Sequence, residues 1–242
     1  MTAVILTRNA SLTIVDAIRS LPQGCQVLVL DAYSEDSTSA LAQREGARVL
    51  ERHWTDFVDA RRFALDQVTT PWVFSLDADE RCDARLATAL LAIDGACDGY
   101  EVLRDTTYRG RPMRIWANEV LLRYFRADRV RIEAHPTMGG TAALHERYVV
   151  DGPTQRLPGR LEHDSYPTLA SYRTKYTRYT ALEAHGLSPS VARLLRELLL
   201  LPVRWLRLVL LRGAFLDGID GIFIASTSAL YPLVVALRAY RR

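Results

Sequence analysis

The chain has 242 residues, 49% of them hydrophobic, and a formal net charge of +3. This length and composition predict one compact domain with an appendage, built around a full hydrophobic core. The three cysteines show no paired spacing, so neither a disulfide framework nor a zinc site is indicated, and we expect a reducing cytoplasm. No signal peptide is expected, since the N-terminus enters a strand within a few residues.

Strands and helices alternate in the first third of the chain. Short apolar runs predict strands at residues 3–7, 26–30, 48–50 and 71–76. Between them, apolar spacings typical of helices occur near residues 14–18, 40–42 and 57–68. This order predicts an α/β fold with a mostly parallel central sheet, flanked by helices, whose connecting loops and chemistry share one edge.

The fourth predicted strand ends in two carboxylates, Asp77 and Asp79. Residues two apart on a strand project to the same side, so both can point to the carboxyl end of the sheet. Like charges this close need a cation or hydrogen-bond donors, and oxygen ligands suit Mg²⁺ or Mn²⁺. The alternative is a polar turn before a helix that Asp83 caps.

Residues 99–103 and 120–125 read as two further strands, and residues 106–114 as a polar connection between them. Four arginines follow at short intervals, and they either neutralise acidic sugars and lipid phosphates or form a solvated strand face. They are Arg123, Arg126, Arg129 and Arg131.

Two histidine-containing segments add candidate chemistry. In Leu144-His145-Glu146-Arg147, the carboxylate of Glu146 can act as general base on a hydroxyl group. His163 either completes a metal shell, contacts a diphosphate, or is a hydrogen-bonded structural histidine.

The C-terminal segment, residues 191–242, is apolar and basic. Its leucines and arginines recur at helical spacings, although Pro202 interrupts the register. An uncharged stretch at residues 221–237 lies at the lower limit for a membrane-spanning helix, which is about 17 to 25 residues. We expect an in-plane helix that attaches to a membrane surface; ordinary core helices or a dimer interface are the alternative.

Several blocks together resemble family 2 glycosyltransferases of the GT-A fold. They are Thr7-Arg8-Asn9, Leu30-Asp31-Ala32-Tyr33-Ser34-Glu35-Asp36-Ser37-Thr38, Arg61-Arg62-Phe63-Ala64-Leu65, Ser75-Leu76-Asp77-Ala78-Asp79-Glu80-Arg81, Leu144-His145-Glu146 and Gly213-Ala214-Phe215-Leu216-Asp217-Gly218. Within that family the chain most resembles bacterial β-1,4-glucosyltransferases that add glucose to heptose in the lipopolysaccharide inner core.

The resemblance implies a role for each matching residue. The donor, a nucleotide sugar expected to be UDP-glucose, would be bound by Thr7, Asn9, Asp31, Asp36, Arg61 and Asp77. Asp79 would bind Mg²⁺ or Mn²⁺ at the diphosphate, and His163, from its own chemistry, is the further candidate ligand. Glu146 would be the catalytic base of an inverting transfer to a lipid-linked saccharide at the inner-membrane surface. Arg81 and His145 would contact the acceptor or the diphosphate.

The resemblance also implies a GT-A catalytic domain at residues 1–190, followed by the membrane-associating tail. Two other functions stay open at this point: a sugar-nucleotide-binding protein without catalysis, and a nucleotidyltransferase. The latter resembles proteins with a glycine-rich loop after the first strand, which Thr7-Arg8-Asn9-Ala10-Ser11 lacks. Nucleic-acid binding is disfavoured, because the basic residues lack interleaved aromatic side chains.

Overall fold

The computed structural model describes residues 1–54, 56–134 and 146–241, with only the backbone of Glu146. The strands are β1 (Thr2–Thr7), β2 (Gln26–Asp31), β3 (Arg48–Glu51), β4 (Trp72–Asp77), β5 (Glu80–Cys82), β6 (Gly99–Tyr108), β7 (Arg111–Pro112), β8 (Glu119–Arg126), β9 (Val130–Ala134), β10 (Glu146–Val150) and β11 (Thr154–Tyr166). The helices are α1 (Ile14–Arg19), α2 (Thr38–Arg44), α3 (Phe57–Asp66), α4 (Ala84–Leu91), α5 (Leu169–His185), α6 (Val191–Leu206) and α7 (Gly218–Tyr240).

The described residues divide into two compact units. The first contains residues 1–105, 118–134 and 146–163, and the second contains residues 106–117 and 164–241. Helix α5, which precedes the boundary predicted at residue 190, groups with α6 and α7 in the second unit.

The main sheet has the strand order β3-β2-β1-β4-β8-β6-β11-β5, with β7 beside β6. Strands β3, β2, β1 and β4 are parallel neighbours, as the βα alternation predicts. From β8 onward the pairings that join β4 to β8, β8 to β6 and β11 to β5 are antiparallel. The predicted α/β fold with flanking helices and a C-terminal apolar helix is confirmed, and the parallel half of this mixed sheet carries the predicted strand ends.

Alternating side chains of the parallel strands build two cores, one on each face of the sheet. Ala3 and Ile5 of β1 pack into the cluster that includes α1 and α4, whereas Val4 and Leu6 pack with α3. The period of two along the strand explains why each of these residues is buried. Glycine is required at position 159, because an added Cβ would come within 2.3 Å of the Leu86 backbone nitrogen of α4.

The segment predicted as a polar connection, residues 106–114, is instead a β-hairpin. Strand β6 continues to Tyr108 and pairs with β7, and the turn residues Arg109 and Gly110 both have positive φ angles, of 54° and 75°. Two consecutive residues with positive φ form the tight turn that matches the twist of paired strands. The polar composition of the segment concealed this hairpin.

The second unit is mainly helical. Thr168 and Ser171 form a reciprocal capping box at the start of α5, and α7 buries one side that is rich in small residues. Among the described residues, one helical stretch, Ala214–Tyr240, is long and apolar enough to cross a membrane by length and composition alone. Core helices of soluble proteins pass the same test. In Ala214–Tyr240, 33% of the most apolar 18-residue window is buried inside the protein.

Candidate active site

Three polar residues end the parallel strands at one edge of the sheet. Thr7 is the last residue of β1, Asp31 of β2 and Asp77 of β4. The register places Thr7 opposite Asp31, and Leu6 opposite Asp77. Ligands of open α/β sheets bind at this carboxyl edge, so the fold brings these predicted residues to a position suited to binding.

Asp77 and Glu80 share a cluster of three arginines. Arg123 Nη2 lies 2.9 Å from Asp77 Oδ2 and 2.8 Å from Glu80 Oε1. Arg61 donates to the other oxygen of Asp77, and Arg104 Nη1 donates to Glu80 Oε1 at 2.9 Å. The second oxygen of Glu80 accepts from the backbone N–H of Asp77 at 3.0 Å. The arginines thus supply the donors that closely spaced carboxylates require.

The charges in this cluster fix the ionisation of Asp77. Burial alone would raise the pKa of Asp77, but the positive charges of Arg123 and Arg61 outweigh it and hold the pKa well below its ordinary value. Asp77 and Glu80 in turn raise the pKa of Arg123 against the opposing effect of burial. Asp77 is therefore a permanent anion with a fixed orientation, and 31% of its side chain remains exposed.

This geometry bears on two predictions for arginines. Arg61, which is predicted to bind the donor, is 2% exposed and forms an ion pair with Asp77. The solvated strand face is wrong for Arg123, which is 6% exposed. Arg126, Arg129 and Arg131 do lie near the surface, where each pairs with a neighbouring aspartate.

Asp79 and His163 lie together at the turn between β4 and β5. His163 Nε2 is 3.4 Å from Asp79 Oδ2, and the side chains are 15% and 29% exposed. The antiparallel register of β11 with β5 places His163 opposite Glu80 and so beside this turn. An imidazole nitrogen and a carboxylate oxygen are suitable ligands for a divalent cation. No group of three such ligands occurs among the residues that the structure describes.

Hydrogen bonds fasten the loop after β1 to the loop after β2. The backbone N–H of Asn9 donates to Ser34 Oγ at 2.8 Å, and Asn9 Oδ1 accepts from the backbone N–H of Glu35 at 2.9 Å. Asp36 accepts from the backbone N–H of Ser11 at 3.1 Å. Asn9 has a φ of 53°, a conformation that asparagine tolerates better than most residues. Asn9 therefore holds the edge of the site together.

The two aspartates of the second loop differ in their surroundings. Asp31, which is predicted to bind the donor, is fully buried and accepts hydrogen bonds from Ser34 and Ser39. Asp36 is exposed. Burial acts to raise its pKa, but hydrogen bonds from Thr38 and Ser11 prevail and lower the pKa to about 2. Asp36 is thus the accessible anion of this loop.

The remaining predicted site residues are more dispersed or lie outside the described part. Thr7 is 4% exposed, and its hydroxyl makes no hydrogen bond with any residue that the structure describes. Arg81 points to Asp16 and Glu162, at 3.5 and 3.9 Å, rather than to Asp77. His145 and the side chain of Glu146 lie outside the described residues, while the backbone of Glu146 begins β10.

Sequence reasoning missed Glu80 and Arg104, which complete the charge cluster. Glu80 follows Asp77 by three residues, and this proximity was the only signal available for it. Arg104 comes from β6, and no local pattern distinguishes it from the other arginines of that region.

The chain is similar to known glycosyltransferases. The sequence profile of the family described as "Glycosyl transferase family 2" matches residues 2–152. The lipopolysaccharide core biosynthesis glycosyltransferase LpsC of Rhizobium meliloti is 27% identical over 258 aligned positions, covering 100% of this chain and 92% of LpsC.

Solved structures were compared as well. Mannosyl-3-phosphoglycerate synthase from Rubrobacter xylanophilus aligns with a TM-score of 0.44 and 19% identity, covering 75% of this chain and 72% of that one. Glucosyl-3-phosphoglycerate synthase from Mycobacterium tuberculosis, in complex with Mn²⁺, UDP and glucosyl-3-phosphoglycerate, aligns with a TM-score of 0.41 and 18% identity. That alignment covers 73% of this chain and 77% of the synthase.

Proposed function

The chain belongs to glycosyl transferase family 2, and on that premise we propose an inverting, metal-dependent transfer of a hexose to a lipid-linked saccharide. The proposed donor is UDP-glucose, and the proposed acceptor is a saccharide of the lipopolysaccharide core type. The observation that carries the proposal is the Asp79–His163 pair beside the carboxyl end of β4.

Asp79 and His163 would hold the Mg²⁺ or Mn²⁺ ion, since their donor atoms fit such an ion. When bound, the cation supplies positive charge to the diphosphate leaving group. Asp77, fixed by Arg61 and Arg123, would present its exposed side to the donor ribose. Asn9 and Asp36 would border the nucleoside, because their loops are joined at the same edge of the sheet.

Glu146 is the proposed general base. It would take the proton of an acceptor hydroxyl while the oxygen attacks the anomeric carbon from the face opposite the leaving group. A single displacement of this kind inverts the anomeric configuration. The arginine cluster holds Asp77 as an anion that would face the donor. A different carboxylate is therefore needed as the base that deprotonates the acceptor hydroxyl.

The acceptor class is inferred from similarity along the whole chain. LpsC is named for lipopolysaccharide core biosynthesis, and the alignment includes nearly all of both proteins. A core saccharide carried on lipid at the cytoplasmic face of the bacterial inner membrane is therefore the proposed acceptor.

An exposed apolar stripe on α6 supports peripheral or monotopic attachment to that membrane. Leu195, Leu199, Val203 and Leu206 recur every three or four residues and are between 49% and 75% exposed. Such a contiguous apolar surface marks an interaction site. An in-plane amphipathic helix buries this kind of stripe among lipid headgroups and acyl chains.

A transfer assay with the full-length protein tests the function. The protein is incubated with Mn²⁺, a panel of nucleotide hexoses and a delipidated core saccharide that contains heptose. We expect a mass increase of one hexose with UDP-glucose, and NMR should show an inverted anomeric centre. Binding of nucleotide sugar without transfer would indicate an inactive binding protein. Release of pyrophosphate from a nucleoside triphosphate and a sugar phosphate would indicate a nucleotidyltransferase.

A further inference from the structure

The second unit contains a cavity of about 240 Å³ with an unusual lining. One tryptophan, five tyrosines, a serine and a proline surround it, and none of the described lining residues is a leucine, isoleucine or valine. Drug-sized ligands occupy cavities of about 300–1,000 Å³. This cavity is therefore matched to a smaller occupant, comparable to a single monosaccharide ring.

Hydrogen bonds anchor three of the tyrosines and fix their rings. The hydroxyl of Tyr172 lies 2.5 Å from Thr227 Oγ1, and that of Tyr176 donates to the backbone carbonyl of Thr227 at 3.2 Å. Tyr231 donates to Glu183 Oε1 at 2.8 Å. Because the hydroxyl groups are engaged, these side chains present a rigid aromatic wall that needs little ordering when a ligand binds.

Helix α7 adds hydrogen-bonding groups to the aromatic wall. Pro232 has no amide hydrogen, so it cannot form the helical bond to the carbonyl of Ser228, four residues earlier. Both residues line the cavity. Ser228 thus brings a hydroxyl, and a carbonyl without this helical bond, to the lining of the cavity beside the aromatic rings.

This combination suits a sugar better than a fatty acyl chain. A pyranose ring has C–H faces that pack on aromatic rings, and hydroxyls at its edge that require hydrogen-bond partners. An acyl chain needs neither the carbonyl nor the hydroxyl, and its cavity would be lined with aliphatic groups.

We propose that the cavity lined by Trp116, Tyr166, Tyr172, Tyr176, Tyr179 and Ser228 is a subsite for one pyranose residue of a saccharide. Its assignment to the acceptor saccharide rests on the proposed function. The sugar ring packs against the aromatic wall, and its hydroxyls bond to the Ser228 segment of α7.

Tyr179 provides the most informative substitution, because it is 37% exposed. Tyr179→Ala removes the ring, whereas Tyr179→Phe retains it. Tyr240→Ala is the control, since Tyr240 is an exposed tyrosine of α7 outside the cavity. Thermal unfolding of each variant confirms that it folds.

Binding of a delipidated, heptose-containing core oligosaccharide is measured by saturation-transfer NMR and tryptophan fluorescence, without nucleotide sugar. Loss of one aromatic stacking partner should raise the Kd about 2- to 12-fold in Tyr179→Ala, since aromatic contacts contribute roughly 0.5–1.5 kcal/mol. Tyr179→Phe and Tyr240→Ala should bind like the wild type.

Equal affinity of Tyr179→Ala and the wild type would overturn the subsite, as would absence of oligosaccharide binding to the wild type. Displacement of the oligosaccharide by dodecanoate at equal concentration would assign the cavity to an acyl chain instead. Since this assay needs no donor, the subsite can stand where hexose transfer fails, and transfer can stand where the subsite fails.

Discussion

His163 Nε2 lies 3.4 Å from Asp79 Oδ2, although the two residues come from distant parts of the sequence. The antiparallel pairing of β5 with β11 creates this proximity, because it sets His163 opposite Glu80, the residue after Asp79. This carboxylate and this imidazole are the two ligands of the proposed metal site at the edge of the sheet. The neighbouring Asp77 forms ion pairs with Arg61 and Arg123. The two aspartates of the Asp-x-Asp motif therefore have different surroundings.

The arginine cluster should be important for stability. Arg123→Met removes the side chain that bridges Asp77 and Glu80, and it leaves buried carboxylate charge with fewer partners. We expect a loss of about 3 kcal/mol in the free energy of unfolding, measured by urea denaturation. Arg129→Met is the control, because Arg129 is 59% exposed, and it should change stability by less than about 0.5 kcal/mol. Equal stability of the two variants would contradict this role of Arg123.

Asp36 should contribute to the pH dependence of stability. Its pKa is lowered from 3.8 to about 2, so the unfolded state binds more protons between these values. The stabilisation is fully present above the unfolded pKa and is lost as the pH falls through the folded pKa. Asp36→Asn should therefore flatten the fall of unfolding free energy between pH 4 and pH 2. A slope identical to that of the wild type would show that the Asp36 hydrogen bonds do not matter for stability.

Glu146→Gln should separate catalysis from donor binding. The substitution keeps the shape of the side chain and removes the proton acceptor, so turnover should fall by about 10²- to 10⁴-fold. The Kd for UDP-glucose, measured by calorimetry with Mn²⁺, should stay unchanged. Turnover near that of the wild type would show that another residue is the base. His145→Gln would then test the next candidate.

The apolar stripe of α6 should determine membrane attachment. Combining Leu199→Glu with Leu206→Glu should reduce cosedimentation with phosphatidylglycerol vesicles at least about tenfold, because each buried leucine contributes roughly 1.5–3 kcal/mol. Leu12→Glu is the matched control, since Leu12 is 95% exposed in the first unit. If the wild type itself does not sediment with these vesicles at low salt, the stripe serves another interaction.

Local sequence patterns were sufficient for the parallel half of the fold. The β-branched runs of β1 and β2, and the apolar run of β4, are short, buried and followed by polar residues, so strand ends such as Asp31 and Asp77 could be placed at one edge. The prediction that joined His163 to Asp79 depended on the metal-ligating chemistry of histidine, because nothing local in β11 indicates its pairing with β5.

The arginine cluster could not be predicted in the same way. Arg123 sits in β8 among apolar and basic residues, and alternation alone cannot show that its side chain is buried against Asp77. Only the antiparallel pairing of β8 with β4 determines this. The hairpin at Arg109 and Gly110 was missed for a related reason: its positive φ angles are typical of a tight turn, but its arginines suggested a solvated loop.

The dependence of hexose transfer on a divalent cation tests the central claim most directly. Transfer from UDP-glucose to the core saccharide is measured after removal of metal with EDTA, and again during titration with Mn²⁺ or Mg²⁺. Three proteins are compared: the wild type, Asp79→Asn, and the control Asp16→Asn, whose side chain is 60% exposed in the wild type. We predict that EDTA abolishes transfer by the wild type and by Asp16→Asn, that metal restores it, and that Asp79→Asn remains inactive although folded. Undiminished transfer by the wild type in EDTA, or by Asp79→Asn with metal, would contradict the account.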